Sequence, residues 1–348
     1  MLTTIIICTM LTVLVTIVPL LQNKHWIIRS MDFPRVQIML FSLALLIAIF
    51  VFLDIGKSAT LVMASATALC LIWQLWWILP YTPLWSMEVK FCKEVDPEKQ
   101  LSFITSNVLT PNRNAEALIG LVKKHQPDIL VTLESDLWWQ EQLEILESDM
   151  PYSVKCPLDN LYGIHLYSKL RLYDSEILFL IEKDVPSIHV SIELRTGDRV
   201  RAHFLHPAPP SPTENAESAE RDAELIGVAQ SVAKSNQPEI VAGDLNDVAW
   251  SSTTRLFRKI SGLLDPRIGR GMFNTFHVKY PFFRWPMDHL FHSNHFKLCS
   301  IQRLPSIGSD HFPLFISLSF TPLDGASQKG LESDSEDRKR AEETLLES

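Results

Sequence analysis

Three apolar runs, Leu2 to Leu21, Val36 to Leu53 and Ala59 to Leu79, constrain this chain more than any other feature. Each is about 18 to 21 residues long, which at a rise of about 1.5 Å per residue crosses a hydrocarbon core of about 30 Å. Residues 1–85 carry only Lys24, Arg29, Arg35 and Lys57 against Asp32 and Asp54. One such run could be a buried core helix; three at one end of a chain predict three transmembrane helices. A cleaved signal peptide does not fit, because no basic segment precedes the first run and Pro19-Leu20-Leu21-Gln22 lacks a small-residue cleavage pattern. Trp26 follows the first run, Trp73, Trp76, Trp77, Tyr81 and Trp85 crowd the end of the third, and Pro80 and Pro83 stop it.

Residues 1–85 therefore read as a membrane anchor with the lipid bilayer as partner. The first loop, Gln22 to Arg35, holds Lys24, Arg29 and Arg35 against Asp32, whereas the second, Asp54 to Ser58, is balanced. The positive-inside rule then places the first loop and everything after the third span in the cytoplasm. The margin is about two charges, and a Trp26-Ile27-Ile28-Arg29 stretch lying in the interface would erode it, so the side stays open.

After Trp85 the texture changes to short β-like runs alternating with charged segments. Residues 86–100 read as a linker and 101–320 as one domain. Residues 321–348, rich in Ser, Glu and Lys, read as a disordered acidic tail that buries too little apolar surface to fold alone. Strands are predicted over 101–106, 129–133, 163–168, 187–194, 200–205, 240–242, 288–291 and 314–318. Helices are predicted over 114–125 and 214–234, the latter with Leu225, Val228, Ala229 and Val232 on one stripe. From Met87 to Phe320 acidic residues outnumber basic ones by six, which argues against a tight grip on duplex nucleic acid. The five cysteines are scattered, with no C-x-x-C pair, and indicate neither a zinc site nor a disulfide framework.

Polar residues stand at the strand ends. Asn107 follows the first strand, Glu134 follows Ile129-Leu130-Val131-Thr132-Leu133, and Asp244 and Asn246 follow Ile240-Val241-Ala242-Gly243. Taken singly, each is more often a turn or helix cap. Together they are hard oxygen ligands of the kind that suits Mg²⁺ or Mn²⁺, at the place where a sheet presents a site. Near the end, Gly308-Ser309-Asp310-His311-Phe312-Pro313 sets a carboxylate beside an imidazole able to donate to a phosphate oxygen.

The ordered set Ser106-Asn107-Val108, Pro127-Asp128-Ile129 through Leu133-Glu134, His206, Gly243-Asp244-Leu245-Asn246-Asp247, Met287-Asp288-His289 and Gly308 to Pro313 resembles the endonuclease/exonuclease/phosphatase superfamily over about residues 101–320. The resemblance implies an α/β fold, a four-layer sandwich of two packed mixed sheets flanked by helices, here following three transmembrane helices. It also implies a divalent-metal-dependent hydrolase of phosphate esters, a bacterial-type multi-pass member of the plasma (inner) membrane. By the same resemblance Glu134, Asn107 and Asp310 stand at or near the metal. Asp244 orients or deprotonates the attacking water, and Asn246 binds a phosphate oxygen or the water. His311 contacts the scissile phosphate with Asp288 fixing its tautomer, and His206 lies on the phosphate or leaving-group side. His206 leads into Pro207-Ala208-Pro209-Pro210, where many relatives continue differently, which puts its placement in doubt.

Residues 265–276 combine Arg267, Arg270, two glycines and Asn274 in a stretch that reads either as a phosphate-binding substrate loop or as a solvated loop with internally paired arginines. Trp138, Trp139 and Trp250 read as packing residues, and His125, His165 and His189 as structural. The superfamily spans nucleases, inositol-phosphate phosphatases and phospholipid-cleaving enzymes, so the substrate must be argued from the anchor and the charge. These favour a lipid-linked phosphate or pyrophosphate. A tethered nuclease using Arg255, Arg258, Lys259, Arg267, Arg270 and Arg284 comes next, then a non-catalytic binding protein on the same fold.

Overall fold

The computed structural model describes residues 1–21, 23–94, 96–322 and 327–347, so parts of the expected linker and tail lie outside the described residues. The chain forms two compact units, Met1–Ser86 with Pro210–Ser218, and Met87–Pro209 with Ala219–Ser348.

In the first unit α1 (Leu2–Ile17) continues as a 3₁₀ turn, followed by short α2 (Trp26–Ser30), α3 (Arg35–Phe52) and α4 (Ser58–Ile78). Three helical spans, Leu2–Leu21, Arg35–Phe52 and Ser58–Tyr81, are long and apolar enough to cross a membrane. Their packing is inverted relative to a protein core in water. Thr12, Thr16, Ser42, Thr67 and Gln74 are buried, while Leu11, Leu14, Leu43, Val62 and Leu69 are exposed. In hydrocarbon, polar side chains must find partners inside the bundle, and Thr12, Thr16, Ser42 and Gln74 do, while the Thr67 hydroxyl is buried without one among the described residues. Arg35 Nη1 donates to Gln74 Oε1 at 3.2 Å, Gln74 Nε2 donates to Thr16 Oγ1 at 3.2 Å, and Arg35 pairs with Asp32. Residues 210–218 run beside α2, with Trp26 N donating to Ala216 O and Ser218 N to Lys24 O. That pairing is why the helix expected over 214–234 begins only at Ala219.

The second unit holds two mixed sheets. One runs in the order β10 (Phe296–Arg303), β11 (Leu314–Phe320), β1 (Gln100–Asn107), β2 (Ile129–Leu133), β4 (Ile164–Ser168), β3 (Tyr152–Cys156). The other runs β5 (Leu172–Leu178), β6 (Ser187–Glu193), β7 (Arg199–Leu205), β8 (Glu239–Asp244), β9 (Asp288–His292). β1 pairs parallel with β2 and β7 with β8; the other pairs are antiparallel.

Alternation along each strand builds the layers. Leu101, Phe103, Ile129, Val131 and Ile316 face Ile188, Val190, Ala202, Phe204 and Ile240 between the sheets. The residues between them face outward. Ile104 and Leu130 pack on α5 (Ala115–His125) and α6 (Leu137–Leu143), and Leu205, Val241 and Phe291 on α7 (Ala219–Lys234) and α8 (Ser252–Ser261). This is the expected four-layer sandwich. Trp139 and Trp250 are buried, in keeping with a packing role.

Two boundaries differ from the sequence reading. Part of the expected linker belongs to the domain: Val89 is buried in the inter-sheet core, and both carboxylate oxygens of Glu88 accept from Arg258 Nη2, at 2.7 and 2.5 Å. Cys92 N donates to Leu298 O, which brings the free thiols of Cys92 and Cys299 to 2.6 Å.

The tail expected to be disordered contains α9 (Ser335–Leu346), opened by an Asp334 capping box. With few apolar residues it escapes a hydrophobicity criterion, yet Ala341 and Leu345, spaced i, i+4, meet Ile226, Leu256 and Ile260, and Lys259 pairs with Asp337 at 2.6 Å. Ala341→Asp should put an unpaired carboxylate in that contact and weaken the docking of α9 by about 2 kcal/mol or more. Limited proteolysis of the detergent-solubilised protein checks this: the variant should be cut within residues 327–347 well before the parent, and equal cutting rates would contradict the packing.

Candidate active site

The polar strand ends converge on one edge of the sandwich. Asn107 is the last residue of β1, Glu134 follows β2, His206 follows β7, Asp244 ends β8, Asp288 opens β9, and His311 precedes β11. Antiparallel pairing sets Asp244 directly opposite Asp288. β7 and β8 can approach closely here because residue 243 is Gly, at φ +144°; a Cβ would lie 2.0 Å from the Leu205 carbonyl oxygen. The register Leu205↔Gly243 thereby brings His206 beside Asp244. Glu134 and Asn246 hold left-handed backbones, φ 58° and 50°, of the kind that clusters at functional sites.

At the centre, Asn107 Nδ2 donates to Glu134 Oε1 at 2.7 Å and to Asp244 Oδ2 at 3.3 Å, tying the two sheets. Asp244 Oδ1 accepts from Asn246 N, leaving Oδ2 3.4 Å from His311 Nε2 and 3.9 Å from His206 Nε2. His311 Nδ1 donates to Asp288 Oδ2 at 2.8 Å, and the Asp288 amide donates to Thr275 Oγ1. Phe276 packs against the His311 ring, centroids 4.9 Å apart. Asn246 gives its Nδ2 to Pro207 O at 3.0 Å and so braces the segment that carries His206. Asp310 is half-buried beside them, its Oδ1 accepting from Ser309 Oγ.

Burying these acids together displaces their titration. Burial, with Asp310 and Asp244 nearby, pushes the Glu134 carboxyl up to about 7 against the opposing Asn107 and His311. Burial pushes Asp244 up to about 7, with His311 opposing and Asp288 reinforcing. For His311 burial works downward, but Asp244, Asp288 and Asp310 outweigh it and carry the imidazole up to about 10. His206 goes the other way, to about 3, through burial and the neighbouring His311.

The donor set fits a hard divalent cation. Glu134 Oε2 and Asp288 Oδ1 are buried without a hydrogen-bond partner, and one ligand atom each from Asp244, Asp288 and His311 lie within 4.8 Å of one another. That compact cluster differs from the expected metal group: Glu134 joins it through Asn107, and Asp310 reaches Glu134 and His311 through its charge.

The expected substrate loop is corrected. Arg267 is 1% exposed and grips Asp265 through Nε and Nη2, both at 2.9 Å, with Nη2 also 2.7 Å from His289 Nδ1. Arg270 donates to the carbonyls of Pro266 and Val89. Neither guanidinium is available to a phosphate, because the loop folds inward and its arginines satisfy buried acceptors. Asn274 keeps a buried Oδ1 without a partner.

Several supports had little signal in the sequence. Thr275 anchors Asp288, and Thr110 Oγ1 donates to Glu134 O at 2.7 Å. Arg221 holds Asp222 and donates to Asn246 O at 2.8 Å. Asp247 lies in the Gly243–Asp247 motif, and its Oδ2 accepts from Ser251 Oγ while its carbonyl lies 2.9 Å from His289 Nε2.

The endonuclease/exonuclease/phosphatase family model matches residues 104–311. No curated protein matches the chain. Solved structures share the fold at low identity. A Danio rerio TDP2 complexed with single-strand DNA product superposes with TM-score 0.52 at 16% identity, covering 63% of this chain and 99% of that one. The human Nocturnin catalytic domain with bound sulfate gives 0.52 at 18%, covering 65% and 97%. An endonuclease/exonuclease/phosphatase from Beutenbergia cavernae gives 0.53 at 15%, covering 64% and 72%. With the family model matching more than half its length, this chain belongs to the endonuclease/exonuclease/phosphatase family and is a metal-dependent hydrolase of phosphate ester bonds.

Proposed function

We propose that this hydrolase is membrane-anchored and cleaves a lipid-linked phosphate ester or pyrophosphate by in-line attack of water. The plasma (inner) membrane of a bacterial cell is its site of action. Lys24 and Arg29 keep the first loop positive after Arg35 and Asp32 cancel, which favours a cytoplasmic catalytic unit.

Glu134 and Asn107, with Asp310 nearby, would hold Mg²⁺ or Mn²⁺, which when bound neutralises charge on the nonbridging phosphate oxygens. Asp244 Oδ2, held only by the long Asn107 contact and beside His311 in a carboxyl raised to about 7, takes the proton of the attacking water near neutral pH. His311, protonated and fixed through Nδ1 by Asp288, presents Nε2–H to a phosphate oxygen as charge develops. His206, neutral, faces the phosphate or leaving group through Nε2, and Asn246 holds His206 and the turn in place.

The observation that carries the lipid reading is an aromatic tip tied to the site. Tyr280, Phe282 and Phe283 are exposed, Phe282 at 84%, on the loop whose Val278 N donates to Asp310 O and whose Phe276 bridges to His311. Exposed aromatics beside a polar site suit a membrane interface. The basic residues give a second support. Arg258, Lys259 and Arg267 are ion-paired with Glu88, Asp337 and Asp265, and Arg284 donates to the carbonyls of His277 and Val278, so these four are engaged within the protein. The alternative is a tethered nuclease, for which the DNA product in the TDP2 relative is the favouring observation.

Phosphate release by the solubilised protein from lipid phosphates, lipid pyrophosphates and nucleotides, beside plasmid nicking, separates the two. Release from lipid should dominate and fall by about 10²–10³-fold in Glu134→Gln; nicking without lipid turnover would establish the nuclease instead. Phe282→Ser with Phe283→Ser should raise KM for vesicle-borne substrate and leave turnover of a soluble phosphoester unchanged.

A pH test addresses the cation. Because the folded pKa of Glu134 is raised to about 7, its proton stabilises the cation-free protein at low pH, and that contribution is lost as pH rises through about 7. A cation replaces that proton, so the rise in Tm on adding Mg²⁺ or Mn²⁺ should be larger near pH 8 than near pH 6. A rise independent of pH would remove Glu134 from the ligand set.

A further inference from the structure

The outer face of the second sheet, away from the strand-end site, holds a cavity of about 540 Å³ between the strands, α7 and α9. That size lies within the range of small-ligand sites. Leu178, Leu180, Ile181 and Leu345 give it an apolar lining, and Glu224, Glu239 and His203 a polar one.

Most of its polar groups already have partners. Arg201 donates to Glu176 Oε2 at 3.1 Å and to Asp174 O at 3.0 Å. Glu239 Oε2 lies 3.0 Å from His203 Nε2, His203 Nδ1 lies 2.6 Å from His189 Nδ1, and His189 Nε2 lies 2.8 Å from Ser187 Oγ. Glu224 is the exception. It is 3% exposed, its Oε1 has no hydrogen-bond partner, and among the described residues no lysine or arginine is paired with it. Burial, with Glu182 nearby, pushes its carboxyl up to about 8. A carboxyl placed on a cavity wall without a partner costs stability that Gln or Leu at the same helix position would avoid. It is accounted for when the cavity has an occupant.

The lining identifies the occupant's chemistry. An anion would meet three carboxylates, Glu176, Glu224 and Glu239, and no lysine or arginine but Arg201, which Glu176 holds. A hard divalent ion needs several oxygen ligands, whereas Glu239 is engaged with His203 and the remaining wall is largely apolar. A single positive charge on a hydrocarbon stem satisfies both halves. We propose that this cavity is a second ligand site that takes a protonated primary amine on an alkyl chain, the ammonium against Glu224 and the chain against Leu178, Leu180, Ile181 and Leu345. A soluble alkylamine and the headgroup of an aminophospholipid both offer that chemistry.

Calorimetry on the full-length protein in non-ionic detergent tests it, with hexylamine as probe and hexanol and hexanoate as controls. Hexylamine should bind saturably and the controls at least tenfold more weakly. Glu224→Gln should cost hexylamine at least tenfold in affinity while metal-dependent hydrolysis stays at the parent's level and the ligand-free Tm stays at or above it. Should that variant fail to fold, Ser231→Trp, at an exposed position on the cavity wall, carries the same expectation. Displacement of hexylamine by short-chain phosphatidylethanolamine but not phosphatidylglycerol assigns the lipid source, and displacement by putrescine alone the soluble one. Equal binding of hexanol and hexylamine, or hexylamine affinity unchanged in the folded variants, would overturn the proposal.

Discussion

Glu134, Asp244 and Asp288 reach one edge of the sandwich from both sheets, and holding three buried carboxylates within a few ångströms is the constraint around which the second unit is arranged. Water screens such repulsion at a surface, but here it must be met by fixed partners. Asn107 supplies amide hydrogens to Glu134 and Asp244, and His311 faces Asp244 and Asp288, so two donors from the β1–β11 sheet reach the acids of the other sheet. What remains unmet, Glu134 Oε2 and Asp288 Oδ1, is acceptor capacity that a cation would use. The raised acids and the raised histidine are two expressions of that crowding.

The scaffold supports this arrangement with a second, inner set of charges that never meets substrate. Asp265–Arg267–His289 lies behind Asp288, and Asp222–Arg221 lies behind Asn246. A bidentate Arg–carboxylate pair is geometrically stiff, which suits positioning more than net stability. Arg267 is informative in this respect. In sequence it stands among glycines and aromatics like a phosphate ligand; folded, its donors reach Asp265, His289 and the Asp288 carbonyl, and it sets where the β9 acid stands.

The legible parts of the fold were those where local pattern and burial agree. The central strands β1, β2, β6, β7, β8 and β11 are apolar on both faces or alternate cleanly, and the acids at their ends follow directly. The three strands without a signal, β3, β5 and β10, are all sheet edges. An edge strand such as Leu172–Leu178, with Asp174, Ser175 and Glu176 at its centre, faces water on one side and is stabilised by a neighbour distant in sequence. The same holds for α9, whose apolar stripe is two residues wide and meaningful only against α7 and α8. Local composition reports what a segment can bury alone, and these segments bury nothing alone.

The fate of the basic residues connects fold to substrate. A phosphoesterase gripping a polynucleotide needs cations left over for the backbone it tracks, yet here Arg258 is held by Glu88, Lys259 by Asp337, and Arg270 by main-chain carbonyls. Two of these pairings draw on residues outside 101–320, Glu88 before that range and Asp337 after it. The extensions that close the second unit therefore also remove charge that nucleic acid would require. The loop that bridges to His311 exposes three aromatics, Tyr280, Phe282 and Phe283, beside Lys279. For the proposed lipid-linked substrate, recognition would rest on the reacting phosphate and on apolar contact beside it.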